Sequence, residues 1–312
     1  FGQLMKEGKV APPGGARVNS WQAPFGATSA AHTLALNAQR HFHRYGTTRE
    51  TLGWIALNQR ANAALNPTAI YRDPMTMDDY MNARMICEPL RLFDCCQEDD
   101  GGCALLITSA ERAKDMKQKP AVIRAVTQAS FEGQEQMTSF YREDLAALPE
   151  MELASKILYE QSGLGAKDID AACLYDAFTP EILMQLEAFG FCGKGESGPF
   201  IEGGRRIALD GEIPLNTHGG QLSAGRLHGY GYLHEACVQL WGEGGERQVA
   251  GGPEVAVAAA GGEPDATQQG ILDAGAAGLG ASMAAIFLQD PDRPGLTLAA
   301  AVGFLWLRNQ AN

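Results

Sequence analysis

The chain has no Cys-x-x-Cys pair, no Gly-x-Ser-x-Gly and no phosphate-binding Gly-x-x-x-x-Gly-Lys-[Ser/Thr]. The first absence removes zinc-knuckle and thioredoxin-type chemistry; the other two remove the α/β-hydrolase and P-loop classes. Basic residues are scarce, with 25 Lys and Arg against 37 Asp and Glu and a formal net charge of −12. No basic stripe offsets that balance, and Arg205-Arg206 is an isolated pair, so no nucleic-acid partner is expected. Long unbroken apolar runs are missing too. Ala274 to Leu288 and Leu296 to Leu307 are too short or too broken by glycine for a membrane span. No apolar core follows a basic start in residues 1–11, so no signal peptide and a cytoplasmic location are expected.

What is present describes a globular α/β protein. Over 312 residues, 45% are apolar and 20% charged, enough for one large domain or two ordinary ones. The seven cysteines are odd in number and without framework spacing, and read as reduced, buried thiols. Eleven of the 37 glycines fall between Gly193 and Tyr232, a concentration that suggests a loop whose backbone approaches something closely.

Periodicity predicts helices over Ser29–Tyr45 and Thr48–Leu65, the second opened by a Thr and Glu50 placed as a capping box. A short third helix is expected in "PMTMDDYMNARMI". The pattern then changes to strands at Cys103–Thr108 and "PAVIRAV", the first followed by a helix capped at Ser109. Helices over Pro149–Gly163, Thr179–Phe189 and Gly229–Gly242 alternate with strands in "AKDIDAACLYDAF" and at Glu254–Ala260. Such alternation, with strands apolar on both faces, predicts layered α/β packing.

Two stretches carry candidate chemistry. "LYDAFT" puts Tyr175, Asp176 and Thr179 at a strand-to-helix junction, where ligands gather in layered α/β folds, although helix capping alone would account for Asp176 and Thr179. "NTHGGQLSAGRLHGYGYLHEACVQL" brackets the glycines Gly219, Gly220 and Gly225 with Asn216, His218, Arg226, His228 and Tyr230. Other matches fail on context. "HEACV" has Val238 where a metalloprotease needs its second histidine, and "GKGESG" follows a helix and reads as loop. His41 and His43, two apart on a helix beside Arg40 and Arg44, read as a solvated basic face, and no metal site is expected. Asp99-Asp100-Gly101-Gly102 reads as a turn before a strand.

Three blocks, in order, resemble a family: "DCCQEDDGGCALLITSAERAKDM", "GLGAKDIDAACLYDAFTPEILMQLEAFGFCGKGESGPFIEGG" and "LNTHGGQLSAGRLHGYGYLHEACVQL". They are similar to the thiolase superfamily, nearest its branch related to sterol carrier protein x and lipid-transfer proteins, which includes steroid side-chain aldolases. The resemblance runs from about Gly2 to Pro264. It implies two βαβαβ halves with a helical loop domain, coenzyme A thioesters as substrates with no bound cofactor, and a homodimer. On that mapping residues 1–117 are the remainder of a first half with the loop domain, the first half being incomplete. Residues 118–264 make the second half, and 265–312 form an atypical tail that either supplies replacement strands or is a fused or frameshifted segment.

The resemblance also implies where catalytic groups should fall. A thiolase uses a nucleophilic Cys, a second Cys as acid/base, a His in a Gly-His-Pro motif and an Asn in an Asn-Glu-Ala-Phe motif. That Asn falls on Tyr175, and the His falls on Arg226 with His228 two residues on. The second Cys falls on Ala259 or Ala260, and the nucleophile's segment is expected upstream of Phe1. The expected catalytic set is therefore Tyr175, His228, Asn216 and Arg226, with His218, Gly219, Gly220, Tyr230 and Asp176 in contact with substrate. The expected activity makes or cleaves a carbon–carbon bond near a thioester, as an acyltransferase (acetyl-CoA acetyltransferase type) or a retro-aldol enzyme of lipid or steroid degradation. A zinc-ribbon/OB-fold partner subunit is implied for the latter. The alternatives are a non-catalytic acyl-CoA or lipid-transfer subunit, and an inactive fragment in which the strand near Cys103 lacks neighbours.

Overall fold

The computed structural model describes residues 23–27, 29–134, 138–260, 282–288 and 296–307. Helix α1 (Ala30–Tyr45) buries Leu34, Ala35 and Ala38 along one face. Helix α2 (Arg49–Ala64) begins one residue later than the Thr-Glu spacing suggests. Thr48 is the cap, accepting from Thr51 N at 3.4 Å, and Thr51 closes the box in place of Glu50. Thr47 is drawn inward instead, its hydroxyl 2.6 Å from His41 Nδ1. That contact corrects the solvated-face reading of α1. His41 is buried, with Nε2 3.4 Å from Glu187 Oε1, while His43 is exposed.

Helix α3 (Met77–Asn82) is capped reciprocally by Thr76 and Asp79. A small hairpin follows, β1 (Met85–Cys87) against β2 (Leu90–Arg91). Beyond it come β3 (Asp100–Ser109), the single turn α4 (Ala110–Ala113), β4 (Ala121–Ala129), α5 (Pro149–Ser162) and β5 (Ala171–Cys173). Then come α6 (Thr179–Ala188), α7 (Ser197–Ile201), α8 (Tyr230–Trp241), β6 (Val255–Ala260), β7 (Ser282–Leu288) and β8 (Leu296–Leu307). The "GKGESG" stretch is loop only as far as Glu196, since Ser197 opens α7.

Among the described residues the main sheet has six strands in the order β3-β8-β4-β7-β6-β5. Only β5 and β6 run parallel; every other neighbouring pair is antiparallel. The segment after Pro264 therefore supplies strands: β7 and β8 flank β4 on either side, with Val126 opposite Ala285 and Ala121 opposite Leu298. Helix α5 packs on β4 and β7, and α8 on β5 and β6. Met151 and Leu158 of α5 are fully buried, each contributing about 1.5–3 kcal/mol of hydrophobic stabilisation. Helix α2 packs against α3 and α6 and also against the glycine-rich turn after residue 219. At the other end β3 has β8 as its only neighbour among the described residues, and Leu106 and Ile107 stand exposed.

Candidate active site

Strand β5 is only three residues long, and its direction is continued by side-chain bonding. Asn216 Oδ1 accepts from Leu174 N at 2.7 Å, and its Nδ2 donates to Leu174 O at 2.8 Å. Asn216 N also donates to Ala172 O at 2.8 Å. Both ends of the amide are thus engaged by backbone, and the residue takes a left-handed φ of 48°, which Asn tolerates better than most. This clamp brings 216–220 alongside 174–176.

Helix α2 holds the other side. Asn58 and Asn62 lie four apart on the helix and share one face, and Asn66 follows just past its C-terminal end. Asn58 Nδ2 donates to Leu215 O at 3.3 Å, Asn62 Nδ2 to Leu215 O at 3.0 Å, and Asn66 Nδ2 to His218 O at 2.9 Å. Sequence reasoning missed these three; the recurrence of Asn every four residues was the signal for them. Two further segments tie in by backbone, Tyr71 N to Ser223 O at 2.9 Å and Cys96 N to Ala177 O at 2.8 Å.

The turn itself is a single π-helical turn, Gly220–Ala224. Two glycines are obligatory here. Gly219 has φ 107° and a Cβ on it would lie 2.5 Å from Ala63 Cβ; Gly220 has φ 61° and a Cβ would overlap the Asp176 carboxyl. Asp176 does not cap α6, as capping logic had allowed. The Phe178 N–H is met by Glu181 Oε2 at 2.8 Å, and the Thr179 hydroxyl donates to Asp94 at 2.6 Å. Asp176 instead accepts from Gln221 N at 2.7 Å and from the Tyr232 hydroxyl.

Tyr175 is buried, and its backbone is gripped on both sides by Gln185, whose Oε1 accepts from Tyr175 N at 3.1 Å while Nε2 donates to Tyr175 O at 2.6 Å. Its ring meets that of Tyr232 edge-on, centroids 6.0 Å apart, and Tyr232 meets His218 the same way at 5.6 Å. The structure therefore gathers Tyr175, Asp176, Asn216, His218, Gly219 and Gly220 around Tyr232, a residue the sequence reading did not single out. Arg226 follows the turn, its backbone N donating to Asp99 at 3.0 Å. His228 is partly buried with φ 46°, and the next residue, Gly229, abuts Ala260 at the end of β6. Tyr230, the first residue of α8, is half exposed.

Burial sets the charge states. It pushes the Asp176 carboxyl up to about 7 and that of Glu181 to about 8, and brings His218 and His234 down to about 4. Burial also works against ionisation of Glu235, but His218 and Arg247 outweigh it and hold that carboxyl below its usual range. At neutral pH Glu181, His218 and His234 are thus largely uncharged and Asp176 is near the midpoint of its titration, with a buried Arg247–Glu235 ion pair at 3.1 Å behind them. Among the described residues no cluster of three or more His, Cys, Asp or Glu could hold a metal ion, and no helix is long and apolar enough to cross a membrane.

Residues 132–273 match the family described as thiolase C-terminal domain-like. A solved structure titled "Ltp2-ChsH2(DUF35) aldolase" superposes with a TM-score of 0.79 at 40% identity, covering 89% of this chain and 68% of that one. The chain belongs to the thiolase superfamily. Within it the relatives place this thiolase-like chain in the branch of sterol carrier and lipid-transfer proteins and steroid side-chain aldolases. It is 47% identical over 218 residues to a steroid side-chain-cleaving aldolase of Thermomonospora curvata, covering 70% of this chain and 56% of the relative. It is 46% identical over 247 residues to the 17-hydroxy-3-oxo-4-pregnene-20-carboxyl-CoA lyase of Mycobacterium tuberculosis, covering 79% and 64%. The thiolase-like chain thus spans between about half and two thirds of the length of these curated relatives.

Proposed function

We propose that this chain is the catalytic subunit, or part of it, of a retro-aldol lyase that cleaves the carbon–carbon bond of a β-hydroxyacyl-CoA. The observation that carries the reading is Tyr175. A phenol stands at the end of β5 where a thiolase has its Asn, and small Ala259 and Ala260 stand where it has an acid/base Cys. Claisen chemistry needs a thiolate to carry the acyl group, whereas retro-aldol cleavage needs only proton transfer and a held oxyanion. The relatives that are 46% and 47% identical to this chain over the matched stretch are named as a lyase and an aldolase, which supports the same choice.

In the proposed reaction a base removes the substrate's β-hydroxyl proton. The bond between its α and β carbons breaks, the oxygen becomes a ketone carbonyl, and the electron pair moves to the thioester as an enolate. Protonation of the enolate carbon releases a shorter acyl-CoA. His228 and Tyr175 are assigned the two proton transfers. Arg226, at the position of the thiolase histidine, supplies positive charge for the enolate oxygen. Asn216 with Gly219 and Gly220 shapes the backbone that approaches the thioester, and His218 and Tyr230 line the substrate's path. Coenzyme A enters as part of the substrate. The chain is proposed to work with 1–117 and 118–264 as parts of two thiolase halves, as a homodimer in the cytoplasm, and with a zinc-ribbon/OB-fold subunit of the kind the relative's "ChsH2(DUF35)" title suggests.

The test is turnover of a β-hydroxyacyl-CoA and of a 3-ketoacyl-CoA, with products read by mass spectrometry, for Tyr175→Phe and His228→Ala. Each variant should lose at least a hundredfold in ketone release. Unchanged turnover of both substrates in both variants would refute the assignment. Tight acyl-CoA binding by the unaltered chain without any product would point to the binding-subunit alternative.

A further inference from the structure

Asp176 lies next to Tyr175 in the chain, yet its carboxyl turns inward and is fully buried. Its Oδ1 accepts from Tyr232 Oη and from Gln221 N, and its own backbone N donates to Tyr232 Oη at 3.0 Å. Gln221 Nε2 donates to the same hydroxyl at 2.8 Å. The Tyr232 hydroxyl therefore gives one hydrogen bond and takes two, which exhausts what a phenol can make and leaves nothing for a substrate. Its ring, held by these bonds, is what Tyr175 and His218 lean on from two sides.

We propose that Asp176 is a positioning residue: through Tyr232 and Gln221 it locks the Tyr175 ring and the Gly219–Gly225 turn in register, and does not itself meet the substrate. Three separate elements converge on that one carboxyl, the loop after β5, the π turn and α8. No strand pairing joins the loop to the turn at this point, so the side chain does the joining. The other carboxyl oxygen, Oδ2, is buried without a hydrogen-bond partner and faces the bare Cα of Gly220. An unmatched buried oxygen is costly on a charged carboxylate and less so on a protonated one, in keeping with the upward shift caused by burial. The titratable and charged groups around it are Cys173 from β5, Glu181 from α6 and Tyr232 from α8, with Arg226 and Asp99 beyond Glu181 and the turn.

The proposal uses the lyase reading only to choose an assay substrate, so its test has a second readout. Asp176→Asn, Tyr232→Phe and the double variant are compared in the full chain, with ring-¹³C-labelled tyrosine and ¹³Cγ-labelled aspartate followed by NMR. In the unaltered chain one aspartate should titrate near neutrality. It should vanish in Asp176→Asn and move upward in Tyr232→Phe, which removes a donor to the carboxylate. The Tyr175 resonance should shift in both single variants. With β-hydroxyacyl-CoA, kcat should fall at least tenfold in each single variant with KM within threefold, and the double variant should be little worse than either. A raised KM at unchanged kcat in Asp176→Asn, or fully additive losses in the double variant, would overturn the proposal. If the unaltered chain does not cleave the substrate the lyase reading fails, and an unmoved Tyr175 resonance in Asp176→Asn then overturns the positioning role on its own.

Discussion

Replacing Gly220 with alanine tests the geometry of the turn in a way that separates backbone strain from steric overlap. At φ 61° an alanine costs about 1–2 kcal/mol for the left-handed conformation alone. Its methyl would also overlap Asp176 Oδ2, so the carboxyl has to move. Moving it loosens the bonds from Tyr232 and Gln221 N, and loss of one such bond to a charged or partly charged group costs about 1.5–3 kcal/mol. The expected destabilisation is therefore about 2.5–5 kcal/mol. Gly203→Ala is the control, because Gly203 has φ 72° but open space within 4 Å of the built Cβ, and should cost only the about 1–2 kcal/mol of strain. Urea unfolding followed by circular dichroism reads both as shifts in midpoint at unchanged slope. Equal destabilisation in the two variants, within about 0.5 kcal/mol of error, would show that Asp176 does not press on Gly220, and the reasoning would be wrong.

Two further outcomes follow from the charge states and the buried ion pair. Asp176 and Glu181 titrate in the folded chain near 7 and 8, above ordinary carboxyls, so the stability they confer is present at low pH and is lost as pH rises through those values. His218 and His234, depressed to about 4, act oppositely between about 4 and 6.5, which leaves a net decline in stability from about pH 6.5 to 8. Urea midpoints across that range should fall, and Glu181→Gln should remove most of the slope, because above about pH 7 only Glu181 is still largely protonated; a flat profile in the unaltered chain would contradict the burial argument. Arg247→Met leaves Glu235 buried without its cation and should cost about 3 kcal/mol, read by thermal unfolding; a loss below about 1 kcal/mol would mean the pair is solvated.

Helix positions were legible because a period of 3.6 and terminal glycines or threonines mark them locally. The box at α2 slipped by one residue because Thr47 is held by His41, whose burial local periodicity does not show. That burial is hidden because the partner of His41, Glu187, is 146 positions away. The two chemistry-bearing stretches were legible as addresses, since glycines with polar neighbours at a strand end carry their own signal. What each side chain does there was not. Asp176 looks like a helix cap in one dimension, and only the fold brings Tyr232 and Gln221 to it. Asn216 looks like a polar group facing a substrate, and the structure shows both ends of its amide bonded to Leu174. The tail's strands stood only as one of two readings, because an alanine- and glycine-rich run has no alternation to announce a strand and gains its partners from β3, β4 and β6.

That sheet order has a consequence for the timing of assembly. Strand β4 is flanked on both sides by strands that follow it by more than 150 positions, and among the described residues β3 pairs only with β8. A ribosome emitting this chain would release β3, β4, α5 and β5 long before the polypeptide that joins them, so the middle of the sheet waits on residues 282–307. Closure then spans very long loops at once, the situation in which rates are slowest and half-made sheets associate with one another. Holding such intermediates apart during synthesis, by a chaperone or by a low rate of production, should therefore matter more to the yield of this protein than any single contact in its finished core.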